Sequence, residues 1–273
     1  MEGKADLHTH TTYSDGVLSP YELIKKAHES GVEVLGITDH DSVGAIANSV
    51  EISSEFGVEI VPGVELSAVI EDREIHILGY LFDYKNKNLL DYLTFFRKER
   101  VKRAERIVEK LNNINVPLKF ESVMEKAGSA AVGRPHIANA LLDEGLTTSY
   151  IEAFSKYIGY GGPAYEKKYS LSPEDTISLI ASSGGLSFLA HPGKYTTDAV
   201  LLSLIKDGLD GIEVVHPSHP PEKILHYRNV VGQYFLLESG GSDFHGGKRN
   251  DDDVLGSYLV PLAWVEEMKK RLF

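Results

Sequence analysis

A chain of 273 residues, 42% hydrophobic and 25% charged, is long enough to bury one large core with an insertion, and its composition is not that of a disordered chain. The formal net charge of −12 excludes the broad basic surface that long nucleic acid requires, and no stretch approaches the roughly 20 apolar residues that span a bilayer. With no cysteine, disulfides, zinc–thiolate sites and a thiol nucleophile are excluded, and any metal must be held by nitrogen and oxygen. The missing cysteines and the lack of a basic, then apolar, N-terminal segment lead us to expect a soluble cytoplasmic protein bound to neither membrane nor long nucleic acid.

The first predicted strand carries Asp6-Leu7-His8-Thr9-His10. Strand side chains alternate between faces, so His8 and His10 project to the same side, and Asp15 follows in a Tyr-Ser-Asp-Gly turn that can fold over them. Ser19-Pro20-Tyr21-Glu22 is a capping box with proline at the first helical position, predicting a helix to about Ser30 that Gly31 stops. The apolar run Val32–Thr38 reads as a strand buried on both faces and ends in Asp39-His40-Asp41. A second helix, about Val43–Phe56, stops at Gly57, and a third strand, Val58–Val64, delivers Glu65.

The rhythm then changes. Leu66–Ile70 and Arg73–Tyr80 flank Glu71-Asp72 and read as an antiparallel excursion that returns His76 toward the same end. From about Asn88 to Asn113 the pattern is helical and basic, with Arg97, Lys98, Arg100, Lys102, Arg103 and Arg106. We read that run as a solvated face partnered by Glu99, Glu105 and Glu109. Short helices continue to about Gly162, which predicts a helical insertion.

Leu171-Ser172-Pro173-Glu174 restarts the β/α alternation and echoes Leu18-Ser19-Pro20. In each copy a helix, a glycine stop and a strand lead to a histidine, His40 in the first and His191 in the second. Gly211–Val215 then leads into His216-Pro217-Ser218-His219, and Tyr234–Leu237 into Gly240-Gly241-Ser242-Asp243-Phe244-His245. Val254–Val260 reads as an edge strand before a short helix containing Trp264. His28 and His226 fall in amphipathic helices and read as structural.

Alternating strands and helices imply a largely parallel sheet, and polar residues at successive strand ends are what an α/β barrel places around its mouth. An open doubly wound sheet would also put its site beyond the strand ends, but neither glycine-rich phosphate motif is present. His8, His10, Asp15, His40, Glu65, His76, His191, Asp243 and His245 are expected to converge. Burying so many charged groups without a cation would be costly.

The motifs Asp6-Leu7-His8-Thr9-His10, Thr38-Asp39-His40, Gly63-Val64-Glu65, His76, Leu189-Ala190-His191-Pro192 and Gly241-Ser242-Asp243-Phe244-His245 resemble, in order, those of the PHP (polymerase and histidinol phosphatase) domain phosphoesterases. Gly133-Arg134-Pro135-His136-Ile137-Ala138, Gly162-Pro163-Ala164-Tyr165 and His216-Pro217-Ser218-His219 are similar to the subgroup that hydrolyses nucleoside 3′,5′-bisphosphates or trims short RNAs from the 5′ end. The resemblance implies a distorted (β/α)7 TIM-like barrel of seven parallel strands, spanning residues 1–96 and 165–273, with a small helical insertion domain at 97–164. It further implies a trinuclear site. His8, His10, Glu65 and Asp243 would hold one ion, Glu65 would bridge to a second held by His76 and His191, and Asp15, His40 and His245 would hold a third.

Imidazole donors suit two or three divalent transition metal ions, Mn²⁺, Fe²⁺ or Zn²⁺, over Mg²⁺ or Ca²⁺. A hydroxide bridging two such ions is the expected nucleophile, and a nucleotide or short oligonucleotide the expected substrate. Arg134 suits bidentate phosphate binding and Lys168 a point charge, while His136 and His219 are candidates for protonating the leaving alkoxide or, with His216, for touching phosphate. Glu213, inside its apolar strand, is placed to orient a ligand histidine. The rivals are a histidinol phosphatase-type or other small phosphomonoesterase and, from another class, a metal-stabilised binding module without activity; the complete ligand set argues against the latter.

Overall fold

Ser19 takes up extended backbone, its side chain accepts the N–H of Glu22, and the Glu22 carboxylate returns to the Ser19 N–H at 2.8 Å. That closed box starts α1 (Pro20–Glu29), which buries Leu23, Ile24 and Ala27. The computed structural model describes residues 4–70, 73–128, 130–193, 196–247 and 253–272. It divides into two compact units, Met1–Leu90 with Leu171–Phe273, and Asp91–Ser170.

The first unit is built on a seven-stranded sheet in sequence order. β1 (Ala5–Thr9), β2 (Val34–Ile37) and β3 (Glu59–Ile70) run parallel, with α1 and α2 (Ile46–Phe56) as crossovers. β4 (Arg73–Tyr80) runs antiparallel to β3 and to β5 (Leu186–Leu189), and β6 (Gly211–Val215) and β7 (Leu237–Gly240) continue parallel to β5. The sheet nearly closes, because Thr9 bridges Phe244 and the His10 N–H reaches the Phe244 carbonyl at 3.0 Å just beyond β7. Closure gathers the C-terminal strand ends at one mouth. A core of Leu23, Ile24, Leu35, Ile37, Val58 and Phe244 backs β1 and β2.

Several expectations are corrected in detail. The sheet is not all parallel: β3 is one twelve-residue strand, Glu59–Ile70, that joins the expected third strand, less Val58, to Leu66–Ile70, and its pairing with β4 is antiparallel. The expected turn at Glu71-Asp72 lies outside the described residues. α2 starts at Ile46 rather than Val43, without a side-chain cap at Ala45, and it stops at left-handed Gly57 (φ 68°) as expected. Tyr234–Leu236 is not strand. The fourteen-residue helix after β6 runs through Tyr234 and ends at left-handed Phe235, so β7 begins at Leu237. Residues 254–257 are turn and Tyr258 and Leu259 irregular, and Val260 alone of that stretch pairs with the sheet, through Ala5.

The second unit holds most of α3 (Lys87–Asn113), then α4 (Phe120–Ala127), α5 (Arg134–Asp143) and α6 (Tyr150–Ala153), which continues as a π-helical turn, Phe154–Ile158. Ile107, Leu111, Val123, Ile137, Leu141 and Ile158 form its own core. The basic run of α3 is only partly the solvated face expected. Lys102 pairs with Glu99, but Arg106 and Lys110 both meet Glu166, and Arg103 is buried with its Nε on the Glu166 carbonyl at 2.8 Å. The remaining helices, α7 (Pro173–Ser182), α8 (Asp198–Lys206), α9 (Pro221–Tyr234) and α10 (Leu262–Leu272), belong to the first unit. Among the described residues no helix is long and apolar enough to cross a membrane.

Candidate metal centre

Glu65 stands at the centre of the mouth, where β3 passes the end of β2, and is fully buried. Its Oε1 lies 2.7 Å from His76 Nδ1 and 2.8 Å from His191 Nε2. Its Oε2 lies 2.9 Å from His40 Nδ1 and 3.4 Å from the Nε2 atoms of both His8 and His10. Five histidines, His8 and His76 within β1 and β4 and His10, His40 and His191 just beyond β1, β2 and β5, therefore converge on one carboxylate. Asp243 faces the same pair from beyond β7, its Oδ1 3.3 Å from His8 Nε2 and 3.1 Å from His10 Nε2. Asp15 lies 3.3 Å from His245 Nε2 and 3.8 Å from His40 Nε2.

Among the described residues three groups have donor atoms mutually close enough to hold an ion: His8, His10, Glu65 and Asp243; His10, Asp15, His40 and His245; and His40, Glu65 and His76. All nine expected ligand residues are thus brought together, and their donor groups overlap. His10 belongs to two groups, and His40 faces Glu65 as well as Asp15, while His191 reaches the centre through Glu65.

The protonation pattern tests whether cations fit. Glu213 is fully buried in β6, its Oε1 2.8 Å from His8 Nδ1 and its Oε2 accepting the His191 N–H at 2.6 Å. A carboxylate can only accept, so His8 donates from Nδ1 and turns Nε2 toward the oxygens of Glu65 and Asp243, where it makes no hydrogen bond. Burial pulls the His8 pKa down, but the charges of Glu213, Asp243 and Glu65 outweigh it and hold it well above the ordinary value. A divalent cation among the same oxygens would take that proton's place, which is the usual linkage between metal and proton at histidine. His10 is already neutral: burial and the neighbouring His245 and His40 push it down to about 3. For Glu65, burial is outweighed by His40, His76 and His8, which hold its pKa well below the carboxylate range, and the charge of His8 does the same for Asp243. Anionic oxygens, a neutral His10 ring and a His8 Nε2 turned toward the same oxygens make a fitting ligand set.

Backbone strain supports the site. His191 (φ 26°), Asp243 (φ 51°) and Asp41 (φ 49°) occupy the left-handed region, each costing on the order of 1–3 kcal/mol, where the chain turns sharply at strand ends. Second-layer residues that sequence reasoning passed over hold the loops. Asp39 accepts from the Thr11 N–H at 2.8 Å and from the hydroxyls of Thr11 and Ser14 at 2.7 and 2.6 Å. Asp6 accepts the Ser242 N–H at 2.9 Å. Their sequence signal was an acidic residue two places before a ligand histidine, in Asp6-Leu7-His8, or one place before it, in Asp39-His40.

The expected substrate residues separate. His216 lines a cavity of about 650 Å³ over the metal groups, together with His76, His191 and Asp243; its Nδ1 takes the Ser218 N–H at 3.0 Å and its Nε2 faces Asp243 Oδ2 at 3.4 Å. His219 has both ring nitrogens on main chain, Nδ1 donating to Val214 O at 2.9 Å and Nε2 accepting the Gly193 N–H at 3.0 Å. Burial keeps it neutral by lowering its pKa, and this geometry pins the Gly193 turn rather than reaching a leaving group. In the second unit, His136 Nδ1 accepts the Gly133 N–H at the start of α5 at 3.0 Å, the Arg134 guanidinium lies over the rings of Phe154 and Tyr165, and Lys168 lies over Phe96.

An α/β barrel with histidines and carboxylates crowded at its strand ends defines the class of metal-dependent hydrolases. A sequence model described as the PHP domain matches residues 6–160. The 5′-3′ exoribonuclease Rnm of Escherichia coli is 36% identical over 272 residues, covering 97% of this chain and 88% of that protein. A 3′,5′-nucleoside bisphosphate phosphatase of Chromobacterium violaceum is 31% identical over 255 residues, covering 91% and 90%. The crystal structure of a protein described as a metal-dependent phosphoesterase, from Bifidobacterium adolescentis, has a TM-score of 0.89 at 32% identity and covers 98% of this chain and 96% of that one. The chain belongs to the PHP domain family of metal-dependent phosphoesterases.

Proposed function

We propose that this protein is a phosphatase that removes the 3′-phosphate of nucleoside 3′,5′-bisphosphates with two or three bound divalent ions, Mn²⁺, Fe²⁺ or Zn²⁺. The observation that carries the reading is the gathering of nine donor residues, Glu65 among them, beneath a cavity of about 650 Å³, a size suited to a small molecule. His8, His10, Glu65 and Asp243 would hold one ion, Asp15, His40 and His245 another, and His76 and His191 a third that shares Glu65. Bound there, the ions supply charge against the phosphoryl oxygens and lower the pKa of water.

The chain's own residues do the rest. Glu213 fixes the direction of His8 and the His191 main chain at once. His216 fixes one oxygen of Asp243, and His219 with Tyr227 clamps the Gly193 turn, the Tyr227 hydroxyl donating to the Gly193 carbonyl. Burial pushes the Tyr227 phenol up to about 12, so it stays a donor. Arg134, its guanidinium over the rings of Phe154 and Tyr165, is the residue of the helical unit we assign to a substrate phosphate, with Lys168 and His136 beside it in role.

A second reading, release of nucleotides from the 5′ end of short RNA, is favoured by the 36% identity to the E. coli exoribonuclease. Kinetics on adenosine 3′,5′-bisphosphate and on a 5′-phosphorylated trinucleotide separate the two. Phosphate release from the bisphosphate with the higher kcat/KM supports the phosphatase reading, and preferential release of mononucleotide from the RNA overturns it.

A further inference from the structure

A second cavity, of about 340 Å³, meets the first at His76 and His191, which line both. The antiparallel pairing of β4 with β5 sets these two histidines side by side, closed by the Ala190 N–H on the His76 carbonyl at 3.0 Å. The walls beyond them come from the ends of β3 and β5, from β4 and from the start of α8, and are mainly apolar: Ile70, Ile75, Leu189, Pro192 and Val200. Besides the two histidines, the charged residues of the described lining are Arg73 and Glu74, of opposite sign, and Thr196 adds a hydroxyl. Glu74 Oε1 is turned to His76 Nε2 at 3.4 Å. Apolar walls with balanced charge suit an uncharged group better than a phosphate.

Removal of a 3′-phosphate from a nucleotide and release of a nucleoside 5′-monophosphate from the 5′ end of RNA are one bond change. The oxygen of water joins phosphorus, the bond from phosphorus to the 3′-oxygen breaks, and a proton passes to that oxygen. The same nucleotide leaves in both cases. The substrates differ in one substituent: in RNA a further oxygen of the scissile phosphate continues as the 5′-oxygen of the next nucleoside. Attack in line with the leaving oxygen puts that substituent to the side of the reaction axis. It therefore needs a space that opens on the metal groups and is separate from the one holding the leaving nucleotide.

The second cavity is such a space. Resting on the phosphate ester hydrolysis proposed above, we infer that it holds the nucleoside whose 5′-oxygen carries the scissile phosphate, so that one centre serves both the bisphosphate and the 5′ ends of short oligonucleotides.

The chain has no cysteine, so Val200→Cys places a single thiol on the cavity wall. Its alkylation by N-ethylmaleimide is followed in the metal-loaded protein with two non-cleavable ligands, in which CH₂ replaces the bridging 3′-oxygen of adenosine 3′,5′-bisphosphate or of the 5′-phosphorylated adenylyl dinucleotide. At about ten times its dissociation constant the dinucleotide ligand should slow alkylation about tenfold, and the bisphosphate ligand less than about twofold. Equal protection by the two, or none by the dinucleotide, overturns the inference. In steady-state kinetics Val200→Phe, which fills the cavity, should lower kcat/KM on the cleavable dinucleotide relative to the bisphosphate by on the order of tenfold. An unchanged ratio overturns the inference, as does a wild type that cleaves the bisphosphate but not the dinucleotide. If the wild type cleaves neither, the functional reading fails by itself, and the alkylation rates, which need no turnover, still decide whether the cavity takes the nucleoside.

Discussion

Replacing Glu213 with glutamine changes one atom in the deepest part of the site and should disable the metal centre without emptying space. The carboxylate receives two hydrogen bonds, from His8 Nδ1 at 2.8 Å and from the His191 N–H at 2.6 Å. Glutamine offers one acceptor oxygen and an NH₂ group, so it can satisfy one of these donors and must confront the other with a donor. If the oxygen stays on the His191 N–H, the His8 ring must present Nδ1 as an acceptor and carry its proton on Nε2, the atom facing Glu65 and Asp243. A ligand nitrogen is then lost. If the oxygen turns to His8, the buried His191 N–H is left unsatisfied at about 1–3 kcal/mol. Either way, metal affinity should fall by about 10–100-fold, or roughly 1.4–2.7 kcal/mol, as is usual when an outer partner of a ligand histidine is lost. The assay is metal content after dialysis, with affinity from competition against a chelator and circular dichroism as the check on folding. A folded Glu213→Gln protein with wild-type metal content and affinity would refute the reasoning.

Gly241→Ala should be destabilised by about 1–3 kcal/mol in thermal unfolding and should bind less metal, because a Cβ there would lie 2.4 Å from the His8 nitrogen and 2.7 Å from Asp6 Oδ1. Arg134→Ala should weaken KM for adenosine 3′,5′-bisphosphate by about tenfold or more while aryl phosphate kinetics change far less, a split expected from loss of a bidentate phosphate contact; equal losses on both would remove Arg134 from the substrate site. Tyr80→Phe should unfold more easily by about 1 kcal/mol, since its buried hydroxyl donates to the Leu7 carbonyl at 3.0 Å directly below His8.

The parts of the fold that sequence reasoning reached are those written in local chemistry. Ser19-Pro20-Tyr21-Glu22 and Ser172-Pro173 start helices because their caps are complete within four residues, and VEVLGIT and GIEVV are strands because their apolar, β-branched runs match burial on both faces. The misplaced ends are those decided by tertiary pairing. Val254–Leu259 has a strand-like composition but finds no partner along its length, and Tyr234 stays helical because β7 must start where Leu237 can face Gly211. Arg103 read as solvated because no local pattern announces that the Glu166 carbonyl, 63 residues away, will cover it.

The site shows the same division. His8, His10, His40, Glu65, His191, Asp243 and His245 were legible because they sit at strand ends in repeated modules. That His40 faces both Asp15 and Glu65 was not, since it reaches the two only through the closure of the sheet. His219 looked catalytic from its place in His216-Pro217-Ser218-His219, yet its two main-chain hydrogen bonds make it a brace.

The central claim is that this cluster hydrolyses phosphate esters through divalent ions held by His8, His10, Asp15, His40, Glu65, His76, His191, Asp243 and His245. It is tested most directly by measuring phosphate release from adenosine 3′,5′-bisphosphate on one preparation before chelation, after chelation with elemental analysis showing the metal removed, and after addition of Mn²⁺. The account predicts activity that disappears with the metal and returns with Mn²⁺. Full activity in protein shown to be free of metal would contradict it.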